Sequence, residues 1–251
     1  MVRLSVNINK VATLRNSRGG ALPSVTQAAR VCIEAGAHGI TVHPRADERH
    51  ITRYDIPAVA SLLAPYRSEV EFNIEGDPRP DLLQMVRDVR PHQCTLVPVR
   101  AGEITSQAGW PPDTPADRIR GVVADLRGRG VRVSLFIEAE EAAVRWAAAM
   151  GADRVELYTE PFARAFERGP DEGRRCFASY VEAAELAHTL GLGVNAGHDL
   201  DLANLTVFRE LPFLDEVSIG HAIMSRALYV GLSSVVHEYL ALLGGASGGA
   251  I

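Results

Sequence analysis

Residues 114–158 read TPADRIRGVVADLRGRGVRVSLFIEAEEAAVRWAAAMGADRVELY. In the opening segment, 114–128, Ile119, Val122, Val123 and Leu126 fall at i, i+3, i+4 and i+7. That is the stripe of a helix packed on one face. Gly130 follows where a helix accepts a left-handed residue cheaply, and Val131–Ile137 then runs apolar and β-branched. Gly151 ends the next such interval, and Arg154–Tyr158 forms the next run. A strand that recurs after each helix implies parallel pairing through right-handed crossovers.

The same alternation extends in both directions. Upstream lie the runs Leu4–Ile8, Gly39–Val42, Val70–Ile74 and Cys94–Val97; downstream lie Gly193–Asn195 and Val217–Ile219. Residues 171–189 repeat the helical stripe with Phe177, Tyr180, Val181 and Ala184. Gly36 and Gly191 also sit just past helical segments, and Thr114 and Asp199 have the chemistry of N-caps. Eight strands in 251 residues favour closure into a (β/α)8 barrel over an open sheet. A GxGxxG turn after the first strand, which an open dinucleotide-binding sheet would carry, is missing. Residues 1–251 therefore read as one α/β domain, a TIM barrel, with a tail at Gly244–Ile251 expected to fray.

Composition narrows the function classes. Hydrophobic residues make up 47% of the chain and charged residues 23%, with a formal net charge of −5. No basic excess points to nucleic acid or a membrane surface. The N-terminus MVRLSVNINK has no apolar core of a signal peptide, and no apolar run reaches the ~18 residues that span a bilayer. The three cysteines, Cys32, Cys94 and Cys176, form no CxxC pair; reduced thiols and a cytoplasmic location are expected. Of the 26 lysines and arginines, Lys10 is the only lysine, so any lysine Schiff base would have to use it.

Polar residues gather at one end of the strands. Strand 1 leads to Asn7, Asn9 and Lys10, and strand 2 to His43, Arg45 and His50. Glu75 ends strand 3, and Glu156 and Thr159 belong to strand 6. Asn195 and His198 close strand 7, and Gly220 and His221 close strand 8. Barrel enzymes place their chemistry at the C-terminal ends of strands, so this clustering points to an enzyme. Each residue also has a plainer reading. A lone histidine is more often a core or orienting residue, Glu75 could be the buried partner of an arginine, and Glu156 could orient rather than react. The segment RNSRGG at 15–20 is either a solvated loop or an anion clamp. GHAIMSR at 220–226 is a glycine-led helix start, whose N–H groups can hold phosphate. The Gly- and Pro-rich segment 99–113 reads as a lid. HxH, HExxH and GxSxG are all missing, so neither a metal site nor a nucleophile elbow is expected.

Taken together, VNINKVATLRNSRGG, GITVHPRADERHIT, FNIEGD, LVPVRAGEITSQAGW, VSLFIEAE, NAGHDL and SIGHAIMSRAL resemble, in order and spacing, the motifs of the pyridoxine 5′-phosphate synthase family. The resemblance runs from residue 4 to about residue 228. It implies a barrel with extra helices, assembled as a homo-octamer (a tetramer of dimers). The implied reaction joins two small phosphorylated substrates, 3-amino-2-oxopropyl phosphate and 1-deoxy-D-xylulose 5-phosphate, without metal or organic cofactor. It further implies that His43 and Glu75 are general bases, His198 a proton donor, and Glu156 a stabiliser of charge near the reacting centre. Asn7 and Arg18 would hold the aminoketone phosphate. Arg45, His50 and Thr105 would bind the pentulose phosphate, and Gly220 and His221 would cradle a phosphate through N–H groups. The best-known form of the family carries Asp-His where this chain has Asn9 and Lys10, and Gly where it has Asp199; those three positions are expected to contact substrate. Two other readings fit the residues: a phosphosugar aldolase or isomerase barrel that uses Lys10, and a non-catalytic metabolite-binding barrel.

Overall fold

The computed structural model describes residues 1–99 and 106–244. Eight parallel strands close into a barrel in sequential order. They are β1 (Arg3–Asn7), β2 (Gly39–Val42), β3 (Glu71–Gly76), β4 (Gln93–Leu96), β5 (Arg132–Ile137), β6 (Arg154–Tyr158), β7 (Gly193–Gly197) and β8 (Leu214–Ile219). Each matches a run expected from sequence to within a few residues. Closure is made by β1 against β8, with Leu4 opposite Val217 and Val6 opposite Ile219.

Alternate residues of each strand face the helices, and these are apolar and buried: Val6, Ile40, Ile74, Leu96, Leu135, Leu157, Ala196 and Val217. The other face of the strands is polar apart from Phe136 and Tyr158 at the mouth, which the apolar runs did not foretell. Ser5 and Thr41 share a hydrogen bond of 2.7 Å, and the Thr95 hydroxyl donates to Asn73 Oδ1 at 3.1 Å. Asn195 on β7 donates to Gln93 on β4 at 3.4 Å, a bond that crosses the barrel and places this set inside it. Most barrels fill this space with branched aliphatic side chains. Here the interior is a hydrogen-bonded polar column, closed at its N-terminal end by Glu71, which takes Arg132 and lies 3.7 Å from Arg3.

Eleven α-helices surround the strands among the described residues. Three exceed one per strand: β1 is followed by Asn9–Asn16 and Val25–Glu34, β6 by Glu160–Arg168 and Pro170–Thr189, and β8 by His221–Val230 and Leu232–Gly244. None of the helices is long and apolar enough to cross a membrane. Gly36, Gly130, Gly151 and Gly191 all have positive φ, as expected of residues that end helices. The two expected N-caps are corrected. The helix Ala116–Gly128 is preceded by Pro115 with no side-chain cap, and Thr114 instead lends its carbonyl to the Trp146 indole at 3.0 Å. Asn204, not Asp199, precedes the short helix Leu205–Phe208.

The expected lid is partly fixed in place. Trp110 is buried and donates its indole N–H to Leu96 O at 2.8 Å, while Gly109 N donates to Glu138 at 3.0 Å. A Cβ on Gly109 would fall 2.4 Å from Ile137 Cα, so only glycine fits this close approach. The earlier part, 100–105, lies outside the described residues, as does the tail from residue 245.

Candidate active site

The C-terminal mouth of the barrel opens into a cavity of about 490 Å³. Its wall includes Asn7, Asn9, Lys10, His43, Arg45, His50, Glu75, Glu156, His198, Asp199, Gly220 and His221. These are the expected site residues apart from two. Thr105 lies outside the described residues. Arg18 is exposed in the turn after the helix Asn9–Asn16 and is not part of the wall. The clamp reading of 15–20 weakens further because Arg15 binds the Asp55 carboxylate at 2.5 and 2.9 Å. That pair, with Asn16 Nδ2 donating to His50 O at 2.8 Å, holds the His50 loop in place.

Strand ends supply the reacting groups, and a short chain of hydrogen bonds fixes them. Asn7 at the end of β1 donates from Nδ2 to Glu75 Oε2 at 3.4 Å and accepts at Oδ1 from Asn9 N at 3.0 Å. Asn9 Oδ1 in turn accepts from His43 N at 2.9 Å. The two asparagines thus tie three strand ends together. Gly220 closes against this chain: a Cβ there would lie 2.9 Å from Asn7 O. The helix His221–Val230 starts at that point, so its first-turn N–H groups open onto the mouth.

His43 Nδ1 lies 3.8 Å from Glu75 Oε2, and both residues are buried, at 6% and 8% exposure. Burial holds His43 well below the usual histidine range, and Arg45, His50 and Arg79 push it the same way. Burial also lifts Glu75 well above the usual carboxylate range, helped by the charges of Glu156 and Glu216 and opposed by Arg45 and a Ser218 hydrogen bond. The contact is therefore not an ion pair at neutral pH. Burial thus moves the two groups in opposite directions, the histidine down and the carboxyl up, which brings them closer to a common range for proton exchange. His43 Nε2 is buried with no hydrogen-bond partner in the protein, so only Nδ1 is turned toward a titratable neighbour.

Glu156, at 4% exposure, is raised by burial against a hydrogen bond from Thr95. It lies tight against Gly197, where a Cβ would approach its Oε1 to 2.4 Å. His50 is lowered to about 4 by burial and by the charges of Arg45 and Lys10. It accepts at Nδ1 from Ile51 N at 2.9 Å, so its other nitrogen is the donor. The His198 ring packs on Tyr158 and Phe136, with centroids 5.1 and 6.4 Å apart. Lys10 is exposed in the first turn of its helix, within reach of an anion at the mouth. A buried lysine primed for imine formation is absent among the described residues, which sets the aldolase reading back.

Some wall residues escaped the sequence. Ser218 hydrogen-bonds Glu75, and buried Ser106 meets Arg45 Nη2 at 3.5 Å. The clue to Ser218 lies in β8 itself, where Glu216, Ser218 and Gly220 alternate inward at period two. Arg164 also reaches the wall, yet it pairs with Glu160 and Glu167 at 3.0 Å each and so resembles any solvated helical face.

Comparison with known proteins fits this geometry. Residues 4–245 match the family described as pyridoxal phosphate biosynthesis protein PdxJ. The chain is 47% identical over 253 residues to the pyridoxine 5′-phosphate synthase of Leptospira biflexa, covering 97% of each. It is 50% identical over 240 residues to the synthase of Bacteroides fragilis, covering 95% of this chain and 98% of that one. Among solved structures it resembles thiamine phosphate pyrophosphorylase from Pyrococcus furiosus (TM-score 0.63, 12% identity, 98% of each chain). It also resembles phosphoribosylanthranilate isomerase from Thermotoga maritima (TM-score 0.60, 12% identity, 98% of this chain and 100% of that one). At such identities these two likenesses concern the barrel alone.

Proposed function

Because this chain belongs to the PdxJ family, whose curated relatives are pyridoxine 5′-phosphate synthases, we propose that it joins 3-amino-2-oxopropyl phosphate to 1-deoxy-D-xylulose 5-phosphate, giving pyridoxine 5′-phosphate, phosphate and water. The observation that carries this reading is the convergence of strand-end residues from around the whole barrel on one cavity. The substrate's own amine forms the imine, so no enzyme lysine is required. What the protein must supply is proton removal, proton return and two anion sites.

His43 is neutral and takes protons from carbon. Glu75, 3.8 Å from His43, exchanges protons with it and works as the second member of the same base system. His198, in the turn after β7, returns protons to departing oxygen. Glu156 faces charge that builds on the condensing atoms. Arg45, His50 and Lys10 hold the pentulose phosphate, and Thr105 joins them from its loop. Asn7 and the N–H groups of Gly220 and His221 take the aminoketone phosphate. The same reading makes the protein a transferase of the cytoplasm.

The direct test is to incubate the protein with both substrates, without added metal, and to measure pyridoxine 5′-phosphate against inorganic phosphate. Equal amounts are expected; a folded protein that forms neither would overturn the reading. In the same assay His198→Ala is expected to lose at least ~10²-fold in turnover, the scale of a general acid. Near-normal turnover would remove His198 from the role. We also infer a homo-oligomer, an octamer built as a tetramer of dimers. Sedimentation at micromolar concentration should give that assembly, and a monomer would contradict it.

A further inference from the structure

The turn after β7 holds two adjacent non-glycine residues in the left-handed half of backbone space. His198 has φ +90° and Asp199 φ +56°. Side chains adopt such angles only where the surroundings fix them. Here two neighbours do so. The Thr159 hydroxyl is bonded to the carbonyls of Gly197, at 2.8 Å, and of His198. Asn204 Nδ2 donates to Asp199 O at 3.0 Å. The consequence of this paired turn is local. It folds the Asp199 side chain back beside its neighbour's ring, with Oδ2 3.0 Å from His198 Nδ1. The bond to His198 is the largest of the effects that hold the Asp199 carboxyl below the usual carboxylate range, so the acceptor is ionised. Phe136 and Tyr158 pack against the same imidazole and restrict its rotation.

We propose that Asp199 is the positioning residue for His198: its carboxylate accepts from Nδ1–H and so commits Nε2 to proton exchange with the substrate. An ionised carboxylate offers no hydrogen, so the nitrogen facing it must carry one in the neutral ring and in the charged ring alike. Proton traffic is then confined to the other nitrogen. This is the division of labour by which an aspartate sets the tautomer and orientation of a catalytic histidine. The inference rests on His198 being the proton donor, and it adds to Asp199, whose expected part was contact with substrate, a part played through its neighbour.

The test uses Asp199→Gly and Asp199→Asn beside His198→Ala, each as the full-length protein. Glycine suits φ +56° and removes only the carboxylate, so any loss cannot come from backbone strain. Asparagine keeps the shape but can donate from its amide to an unprotonated Nδ1, which favours the opposite tautomer. Both variants are expected to lose turnover by about tenfold or more with KM for either substrate within about threefold, since the interaction serves the transition state and not binding. The ¹⁵N resonances of the His198 ring should report Nδ1–H in the parent protein, a mixture in Asp199→Gly, and Nε2–H in Asp199→Asn. Parent-like turnover and unchanged ring resonances in both variants, with His198→Ala inactive, would overturn the inference while leaving the donor assignment standing. Full turnover in His198→Ala would remove the donor assignment and this inference with it.

Discussion

Glu75→Gln is expected to lower turnover by about 10²–10⁴-fold, the range of general acid–base groups, and to leave the fold intact. Glutamine is the informative replacement because it keeps the shape of the buried side chain but cannot take up or release a proton. The amide keeps the volume and the acceptor oxygen, and Asn7 Nδ2 can still donate to it. What disappears is the ability to exchange a proton with His43, 3.8 Å away. His43 alone can take one proton from substrate but has no partner to pass it to. Ring closure needs several such transfers, so turnover falls while substrate binding, carried by the arginine, lysine and helix-start contacts, changes little. Steady-state kinetics with each substrate would check this. Glu75→Gln turning over at more than about a third of the parent rate would fall outside that range and show that the pair does not act as one base system. His43→Asn, in the same assay, should lose as much as the double variant does, because members of a proton-sharing unit are not additive.

That pair was visible in the sequence because strand-end polarity is a strong signal in this fold. A strand buried on both sides has little reason to end in His43, Glu75 or Asn7 unless something outside the sheet uses them. The strands themselves were legible for a related reason: the face turned to the helices is apolar throughout and mostly Val, Ile and Leu, and it sets the apolar runs. The interior column was not legible. Ser5, Thr41, Asn73 and Thr95 read as ordinary interruptions of apolar runs until Asn195 is seen to reach Gln93 across the barrel. Pairings of that kind join residues far apart in the chain, and no local pattern encodes them. Caps failed for a similar reason. Asp199 has the right chemistry for an N-cap, yet its carboxylate is held by His198 and the turn is set by Thr159 and Asn204. Arg18 shows the converse limit, since a motif fixes residue types in order and does not itself place a side chain on the cavity wall.

The largest loss of stability is expected from Phe162→Ala, far from any reacting atom. Phe162 is 0% exposed and touches four rings: Phe208 at a centroid distance of 5.0 Å, Phe166 and Phe177 at 6.0 Å each, and Tyr180 at 6.1 Å. These rings belong to both helices after β6 and to the short helix after β7, so one side chain joins three elements that the barrel alone would not hold. Removing a fully buried phenylalanine costs about 3–5 kcal/mol, the upper part of that range applying where neighbours cannot collapse into the space. Four rings on three separate helices are such a case. For a domain of this size the loss corresponds to a fall in melting temperature on the order of 10 °C. The cluster also reaches the site: the Tyr180 hydroxyl donates to Tyr158 O at 2.7 Å, and the Tyr158 ring packs on His198 at 5.1 Å. Phe162→Ala should therefore lose turnover at temperatures below its unfolding transition, where the protein is still folded but Tyr158 is less firmly held. Calorimetry and activity measured on the same sample would separate the two effects. A melting temperature within a degree or two of the parent would mean that the cluster repacks freely and that the extra helices are held by their edges instead.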